Sequence, residues 1–261
     1  MMVRRMFERF VLGAMALSGL ASLGGCNDDR WTDYSYKMTV YVGDKAYSTV
    51  RHVKIEEGSS IQDSSGRRVD RRTEGEAVII DTASGPVFAL MVPADGQFGN
   101  GFYGAYLAEP ALVPAIGKPQ ESDVDLTIQE YREEQPGFDL LADDAETHNA
   151  MLEVEGPRSL PRSIAGALSG NGPTRMTVWP MFVRFADINN PKTVEKVLPE
   201  SIGVTNITIE VTDEYVTTGI EKRLRWLREL QARGGALNGE RFPATNDLKS
   251  NLGSGAFWIG E

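Results

Sequence analysis

The sequence predicts an α+β fold made mostly of antiparallel strands, with one amphipathic helix near the C-terminus. Short segments with alternating or continuous apolar residues recur along the chain, and Gly, Pro, Asp and Ser separate them, which is the pattern of strands joined by turns. Residues 219–233 differ, because their apolar residues recur at helical spacing. The chain contains no internal repeat and is long enough to bury one large core.

Two hairpins are predicted in the first third of the chain. Residues 35–42 alternate, and four apolar side chains share one face: Tyr36, Met38, Val40 and Val42. A Gly-Asp turn joins this strand to residues 47–55, so together they predict a β-hairpin. Residues 77–81 and 86–92 are apolar runs around a second turn and predict a buried hairpin. Between the two hairpins, residues 58–75 are polar, contain four arginines and predict a loop.

The middle of the chain is less regular. Residues 93–119 are rich in Gly, Pro and aromatic residues and predict irregular structure, whereas residues 123–132 predict a strand. The acidic residues 139–155 match no single element. Residues 174–186 predict a strand that a proline interrupts at an edge or bulge, and residues 204–211 predict a further strand.

The predicted helix has both a start and a stop signal. Thr218 and Glu221 fit a capping box, and Gly234 ends the pattern. Four apolar residues form a stripe along it: Ile220, Leu224, Leu227 and Leu230. Because an isolated helix of about 15 residues is marginal in water, we expect the stripe to dock on the strands. After the helix, we expect a helical turn at residues 247–252 and burial of the aromatic segment at residues 257–259.

The first 26 residues have the organisation of an export signal. Residues 10–23 form an apolar run that is too short to span a bilayer as a helix. The run follows a positive start with three arginines: Arg4, Arg5 and Arg9. The sequence at residues 23–26, Leu-Gly-Gly-Cys, resembles the lipobox of bacterial lipoprotein precursors. This resemblance implies cleavage before Cys26, a diacylglyceryl group on its thiol and, usually, acylation of the new amino group.

The resemblance divides the chain into three parts. These are a signal peptide at residues 1–25, a lipidated cysteine with a short polar tether at residues 26–34, and one globular domain at residues 35–261. We therefore expect a membrane-anchored protein of the bacterial cell envelope that faces the periplasm or the exterior. The sequence leaves open whether the anchor lies in the inner or the outer membrane.

Composition limits the partners. Cys26 is the single cysteine, so an intramolecular disulfide is impossible. Removing the signal peptide takes away three arginines and one glutamate, which changes the formal net charge from −10 to −12. This charge argues against a nucleic-acid partner and against electrostatic attraction to anionic lipid. We therefore expect the acyl chains on Cys26 to supply the membrane attachment.

Residues 177–227 resemble uncharacterised bacterial lipoproteins. The likeness rests on four segments: FADINNP at residues 185–191, Val194 with Val197, IEVT at residues 209–212 and IEKRL at residues 220–224. The resemblance implies no activity.

A glycine-rich segment at residues 99–104 matches G-x-G-x-x-G. A dinucleotide site needs a helix directly after the glycines, but Pro110 and Pro114 interrupt that stretch. We therefore predict a surface loop and no cofactor. Aromatic residues on this loop are candidates for contact with a partner: Phe98, Phe102, Tyr103 and Tyr106.

A cluster of metal-type ligands lies further along the chain: Asp143, Asp144, Glu146 and His148. Its spacing matches no calcium loop. A zinc site would need more His or Cys than the two histidines and one cysteine of this chain. We therefore predict a solvated acidic surface and no metal.

The sequence contains no motif of a serine nucleophile, neither G-x-S-x-G nor S-x-x-K. Two histidines leave little scope for a Ser-His-acid triad. We therefore predict a non-catalytic envelope lipoprotein that binds a partner, such as another envelope protein, or has a structural role. The alternative is a lipid-anchored hydrolase that uses paired carboxylates, because Asp and Glu are abundant and their pairing in space is invisible in a sequence.

Overall fold

A computed structural model describes residues 30–59, 67–94, 104–116, 144–169, 172–241 and 247–260. The strands within these residues are β1 (Tyr34–Val42), β2 (Lys45–Ser59), β3 (Arg67–Glu76), β4 (Val78–Thr82), β5 (Gly85–Pro93), β6 (Arg158–Ser159), β7 (Ser163–Ser169), β8 (Gly172–Thr177), β9 (Pro180–Phe185), β10 (Val194–Val197), β11 (Val204–Val211) and β12 (Trp258–Ile259). The α-helices are α1 (Glu109–Leu112), α2 (Ala145–Leu152), α3 (Ile220–Arg223), α4 (Leu227–Arg233) and α5 (Leu248–Asn251). Short 3-10 helices span Val113–Ile116, Pro191–Thr193, Pro199–Ile202 and Ser254–Ala256.

The described strands form three antiparallel sheets. Six strands pair in the order β12-β3-β2-β1-β11-β6, four pair in the order β10-β9-β5-β4, and β7 pairs with β8. The predicted fold class, α+β with mostly antiparallel strands, is confirmed. The strand predicted at residues 123–132 lies outside the described residues.

The first predicted hairpin is confirmed. β1 pairs with β2 over its whole length, and Gly43 in the turn has a φ of 54°, a left-handed conformation that glycine adopts without strain. The alternation of β1 is reflected in its burial, because Tyr36, Met38 and Val40 are fully buried while the residues between them are half-buried. On its other edge β1 pairs with β11, which confirms the strand predicted at residues 204–211.

The four-stranded sheet has buried residues on both faces. In β5, Val87 and Ala89 belong to one core, whereas Phe88 and Leu90 belong to another. Burial on both faces explains why this segment is a continuous apolar run rather than an alternating one. The first core joins this sheet to the inner face of the six-stranded sheet, and the second core joins it to the C-terminal helices.

The prediction of a loop at residues 58–75 is wrong for its described part. β2 continues to Ser59, and β3 runs antiparallel to it with Thr73 opposite Val53 and Arg71 opposite Ile55. The sequence does not predict this strand, because the residues at its buried positions are polar. Thr73 is buried, and the Arg71 side chain is 4% exposed, so no apolar alternation marks β3.

The predicted single helix at residues 219–233 is wrong in its continuity. It is two short helices, α3 and α4, because Leu224 leaves the helical conformation with φ −109° and ψ 77°. Trp226 follows the break, and its indole N–H donates to the Ile188 carbonyl at 2.9 Å. The apolar stripe itself is confirmed, since all four of its side chains are buried in the second core, and Gly234 ends α4 as predicted.

The predicted capping box is also wrong. The N-cap of α3 is Gly219, which has a φ of 130° and offers no side chain. Instead the Glu76 carboxylate accepts the Ile220 N–H at 2.8 Å, so an acid from β3 replaces the expected Thr218 hydroxyl. An acid at the start of a helix satisfies an otherwise unpaired amide and complements the helix dipole.

The other predictions are confirmed only in part. The irregular structure predicted at residues 93–119 is wrong for residues 109–116, which form α1 and a 3-10 helix. The single interrupted strand predicted at residues 174–186 is wrong: its first residues belong to β8, which pairs with β7, and its last residues form β9 in another sheet. Pro180 begins β9 at an irregularity in the register with β5, which fits the predicted bulge and not an edge, since β9 lies between β10 and β5. The turn at residues 247–252 contains α5, which Asp247 caps, and Phe257 is fully buried. None of the described helices has the length and apolar character needed to cross a bilayer.

Candidate functional site

Among the described residues, hydrogen bonds on two sides join the segment before β1 to the domain. The Trp31 N–H donates to Glu57 at 3.1 Å, and Asp33 accepts the Ile55 N–H at 2.7 Å. On the other side of the segment, two residues of α2 contact backbone carbonyls: Asn149 Nδ2 lies 3.0 Å from the Arg30 oxygen, and His148 Nε2 lies 2.8 Å from the Thr32 oxygen. Residues 30–33, expected to be part of a tether, are therefore docked. We call them and their partners the N-terminal clasp.

Arg71 lies at the centre of the N-terminal clasp. Its guanidinium lies 4.7 Å from the centre of the Trp31 ring and 4.6 Å from the centre of the Tyr106 ring. It also forms a buried ion pair with Glu109, whose side chain is fully buried in α1. A desolvated cation between two aromatic faces is stabilised by about 2 kcal/mol or more per contact, and the carboxylate neutralises its charge.

Burial in and beside the N-terminal clasp shifts the pKa of two tyrosines. Burial raises the pKa of Tyr34 well above its ordinary value, and the nearby Glu109 charge raises it further. Burial likewise raises the pKa of Tyr106, against the opposing effect of Arg71. Both phenols therefore stay protonated at neutral pH. The Tyr34 hydroxyl donates to the Ala105 carbonyl at 3.4 Å, which links β1 to the segment before α1.

His148 is held as a neutral imidazole. Because a carbonyl only accepts, Nε2 carries the proton that it donates to Thr32. Burial lowers the pKa of His148; the hydrogen bond to Thr32 opposes this shift, and the positive charge of Arg71 adds to it. The ring packs against Trp31 and Tyr34, with centroid distances of 4.9 and 5.5 Å. Its Nδ1 atom is buried and has no hydrogen-bond partner among the described residues.

Of the predicted site residues, the structure describes Tyr106. It is half-buried on Arg71 inside the N-terminal clasp, rather than at the tip of an exposed loop. Cys26 and the other three aromatic candidates, Phe98, Phe102 and Tyr103, lie outside the described residues. Gly104, the last glycine of G-x-G-x-x-G, packs on Thr73: a Cβ there would lie 2.9 Å from the Thr73 hydroxyl oxygen. The glycine thus makes a close packing contact between segments.

The structure divides the predicted acidic cluster. Asp144 and Glu146 are exposed, as expected for a solvated surface, and Asp144 caps α2 by accepting the Thr147 N–H at 2.6 Å. The same interpretation is wrong for His148, which is fully buried. Asp143 lies outside the described residues. Within the described part of the chain, no three His, Cys, Asp or Glu side chains are grouped to hold a metal ion.

Two carboxylates are buried among the described residues, and both make structural contacts. Glu109 neutralises Arg71, and Glu76 caps α3. Burial raises the pKa of Glu76, although the Ile220 N–H opposes this shift. These two acids therefore do not supply the pair that the hydrolase alternative requires. The sequence reasoning missed the partnership of Arg71 with Glu109, because 38 residues separate them and no local pattern links them.

Comparisons with protein-family models, with curated proteins and with solved structures found no match for this chain.

Proposed function

We propose that this chain is a lipid-anchored protein of the bacterial cell envelope that binds a partner or has a structural role, without catalysis. The observation that carries the proposal is the Leu-Gly-Gly-Cys sequence at residues 23–26, placed after a positively charged start and a short apolar run. On this proposal residues 1–25 are removed, Cys26 carries the acyl chains, and the domain faces the periplasm or the exterior. Two or three acyl chains suffice for stable anchoring.

The docking of residues 30–33 supports a short distance between the lipid anchor and the domain. Arg30 already contacts α2, and it lies four residues after Cys26. Four extended residues span at most about 14 Å. The N-terminal clasp would therefore lie close to the lipid headgroups, and the rest of the domain would extend away from them. Because the domain is acidic, the acyl chains rather than surface charge would hold it there.

Metabolic labelling with a radioactive fatty acid tests the anchor. Cys26→Ser should lose the label and accumulate as uncleaved precursor, because only the thiol forms the thioether that precedes cleavage. Asn27→Ser changes the adjacent residue, leaves the thiol in place and should keep the label. Labelling of the Cys26→Ser protein would contradict the proposal.

The binding role is tested on the acylated protein in native envelopes. The double change of Phe102 and Tyr103 to Ser should reduce crosslinking to an envelope partner, because aromatic side chains supply large contact areas at interfaces. Tyr215→Ser is the matched control, since this tyrosine is 97% exposed on another segment. Equal crosslinking by all three proteins would remove the aromatic loop from the proposed interface.

A further inference from the structure

Arg51 is a second buried arginine on the inner face of the six-stranded sheet. It lies opposite Tyr36 of β1 and is fully buried. On its other side the backbone of β3 makes room for it, because a Cβ on Gly75 would lie 2.8 Å from Arg51 Cγ. Gly75 also has a φ of 141°, which disfavours any side chain there. The Arg51 side chain therefore occupies space that only a glycine at position 75 leaves open.

Most of the hydrogen-bonding capacity of Arg51 is unused within the described residues. Nε donates to the Glu76 carbonyl at 3.2 Å, whereas Nη1 and Nη2 are buried without an acceptor. No described carboxylate forms an ion pair with it: the Glu76 carboxylate accepts the Ile220 N–H at the start of α3, and the Arg51 charge only partly opposes the rise in its pKa that burial causes. Arginine cannot lose its proton in a protein, so this guanidinium stays charged. A buried charge needs an acceptor of opposite charge to be stable.

A buried hydroxyl lies close to the same position. The Tyr36 hydroxyl donates to the Gly104 carbonyl at 2.9 Å, and Gly104 packs directly on the Thr73 hydroxyl. Thr73 Oγ1 is itself buried without a hydrogen-bond partner among the described residues. Two donor atoms of Arg51 and one of Thr73 thus have no hydrogen-bond acceptor of good geometry among the described residues. The guanidinium lies beside the Tyr36 hydroxyl, because burial raises the pKa of Tyr36 and Arg51 opposes this shift.

We propose that Arg51 Nη1 and Nη2, together with the Thr73 hydroxyl, bind the carboxylate of a small ligand inside the domain. A planar carboxylate matches the two parallel donors of a guanidinium fork. Arg51 carries one positive charge. Arg71, on the neighbouring strand of the same sheet, is already paired with Glu109. A ligand with one negative charge therefore neutralises the site. A phosphate dianion would leave excess negative charge in the core. This site is independent of the lipid anchor.

Unfolding of the full-length protein in mild detergent tests the site, with sodium acetate replacing sodium chloride at constant ionic strength. Acetate should raise the midpoint temperature of unfolding, and the rise should depend on acetate concentration as expected for one binding site per chain. The reason is that a ligand that binds only the folded state stabilises it by mass action. Arg51→Met should abolish this rise. Arg184→Met, which removes an exposed arginine paired with Glu195, should retain it.

Binding is measured directly by line broadening of carbon-13 acetate with the same proteins. If Arg51→Met does not fold, Thr73→Val replaces it and should weaken acetate binding at least tenfold. The proposal is overturned if the unmodified protein neither broadens the acetate signal nor is stabilised by acetate. It is also overturned if Arg51→Met, or Thr73→Val where that variant replaces it, binds acetate as tightly as the unmodified protein. Inorganic phosphate binding in place of acetate would overturn the carboxylate assignment.

Discussion

The two cores on either side of the four-stranded sheet are stabilised by different chemistry. The second core packs apolar side chains from β5 and β9 against α3 and α4, and its buried members are hydrophobic. The first core is also largely apolar, but buried polar groups lie beside it on the six-stranded sheet and the adjoining helices: the charged Arg51, Arg71 and Glu109, and the neutral His148. Truncation in the second core leaves a cavity, whereas removal of one member of the Arg71–Glu109 ion pair beside the first core leaves the other charge buried without that partner.

The largest effect is expected beside the first core. Glu109→Ala should destabilise the unlipidated 27–261 protein by about 3–5 kcal/mol, because it leaves the Arg71 charge buried without its carboxylate. Urea melts measure the change. Glu195→Gln breaks an exposed pair with Arg184 and should cost less than about 1 kcal/mol. The double change of Arg71 to Met and Glu109 to Leu should restore much of the loss, and a double variant as unstable as Glu109→Ala would show that charge is not the cause.

Leu224→Ala tests the apolar side of the comparison. Leu224 is fully buried in the second core, so its truncation should cost about 2–5 kcal/mol through lost burial and the cavity left behind. Arg225→Ala, at the exposed neighbouring position, should stay within about 0.5 kcal/mol. Equal urea midpoints for Leu224→Ala and the parent would mean that this segment is not docked in solution.

The pH dependence of stability should report the neutral His148. Its folded pKa is lowered, so the unfolded chain binds the proton first and stability falls as the pH drops below about 6.5. One such group contributes a slope of at most about 1.4 kcal/mol per pH unit. Glu76, whose pKa is raised, acts in the opposite direction as the pH falls toward its ordinary pKa.

Comparison with His148→Gln isolates the histidine, because every other titrating group is common to both proteins. Melts between pH 7.5 and 5.5 should show a shallower loss of stability for this variant. A slope that is unchanged in His148→Gln would contradict the assignment.

The smallest effect is expected at Thr218. Since Glu76 rather than Thr218 accepts the first helical N–H, Thr218→Ala should change the unfolding free energy by less than about 0.5 kcal/mol. Gly219→Ala should cost more than about 1 kcal/mol, because its φ of 130° is strained for any residue with a Cβ. A loss of about 1 kcal/mol for Thr218→Ala, the value expected for a true cap, would restore the capping box.

The sequence by itself determined the elements whose signal is local. The alternation of β1, the continuous apolar run of β5 and the stripe from Ile220 to Leu230 were all predicted, and each is buried as expected. A strand repeats every two residues and a helix every 3.6, so a short window of sequence already shows which face will be buried. Asp247 at the start of α5 follows the same logic, because its partner is three residues away.

Only the tertiary structure decided how buried polar groups are satisfied. Glu76 caps a helix that starts 144 residues later, Arg71 finds its carboxylate 38 residues away, and β3 is a strand although its buried positions are polar. No local period marks these partners, because each pair exists only after distant segments pack together. The predicted helix broke at Leu224 for a related reason. Its stripe had to follow the surface of the second core, where Trp226 hydrogen-bonds to Ile188, and tertiary packing outweighs the small helix propensity of a few residues.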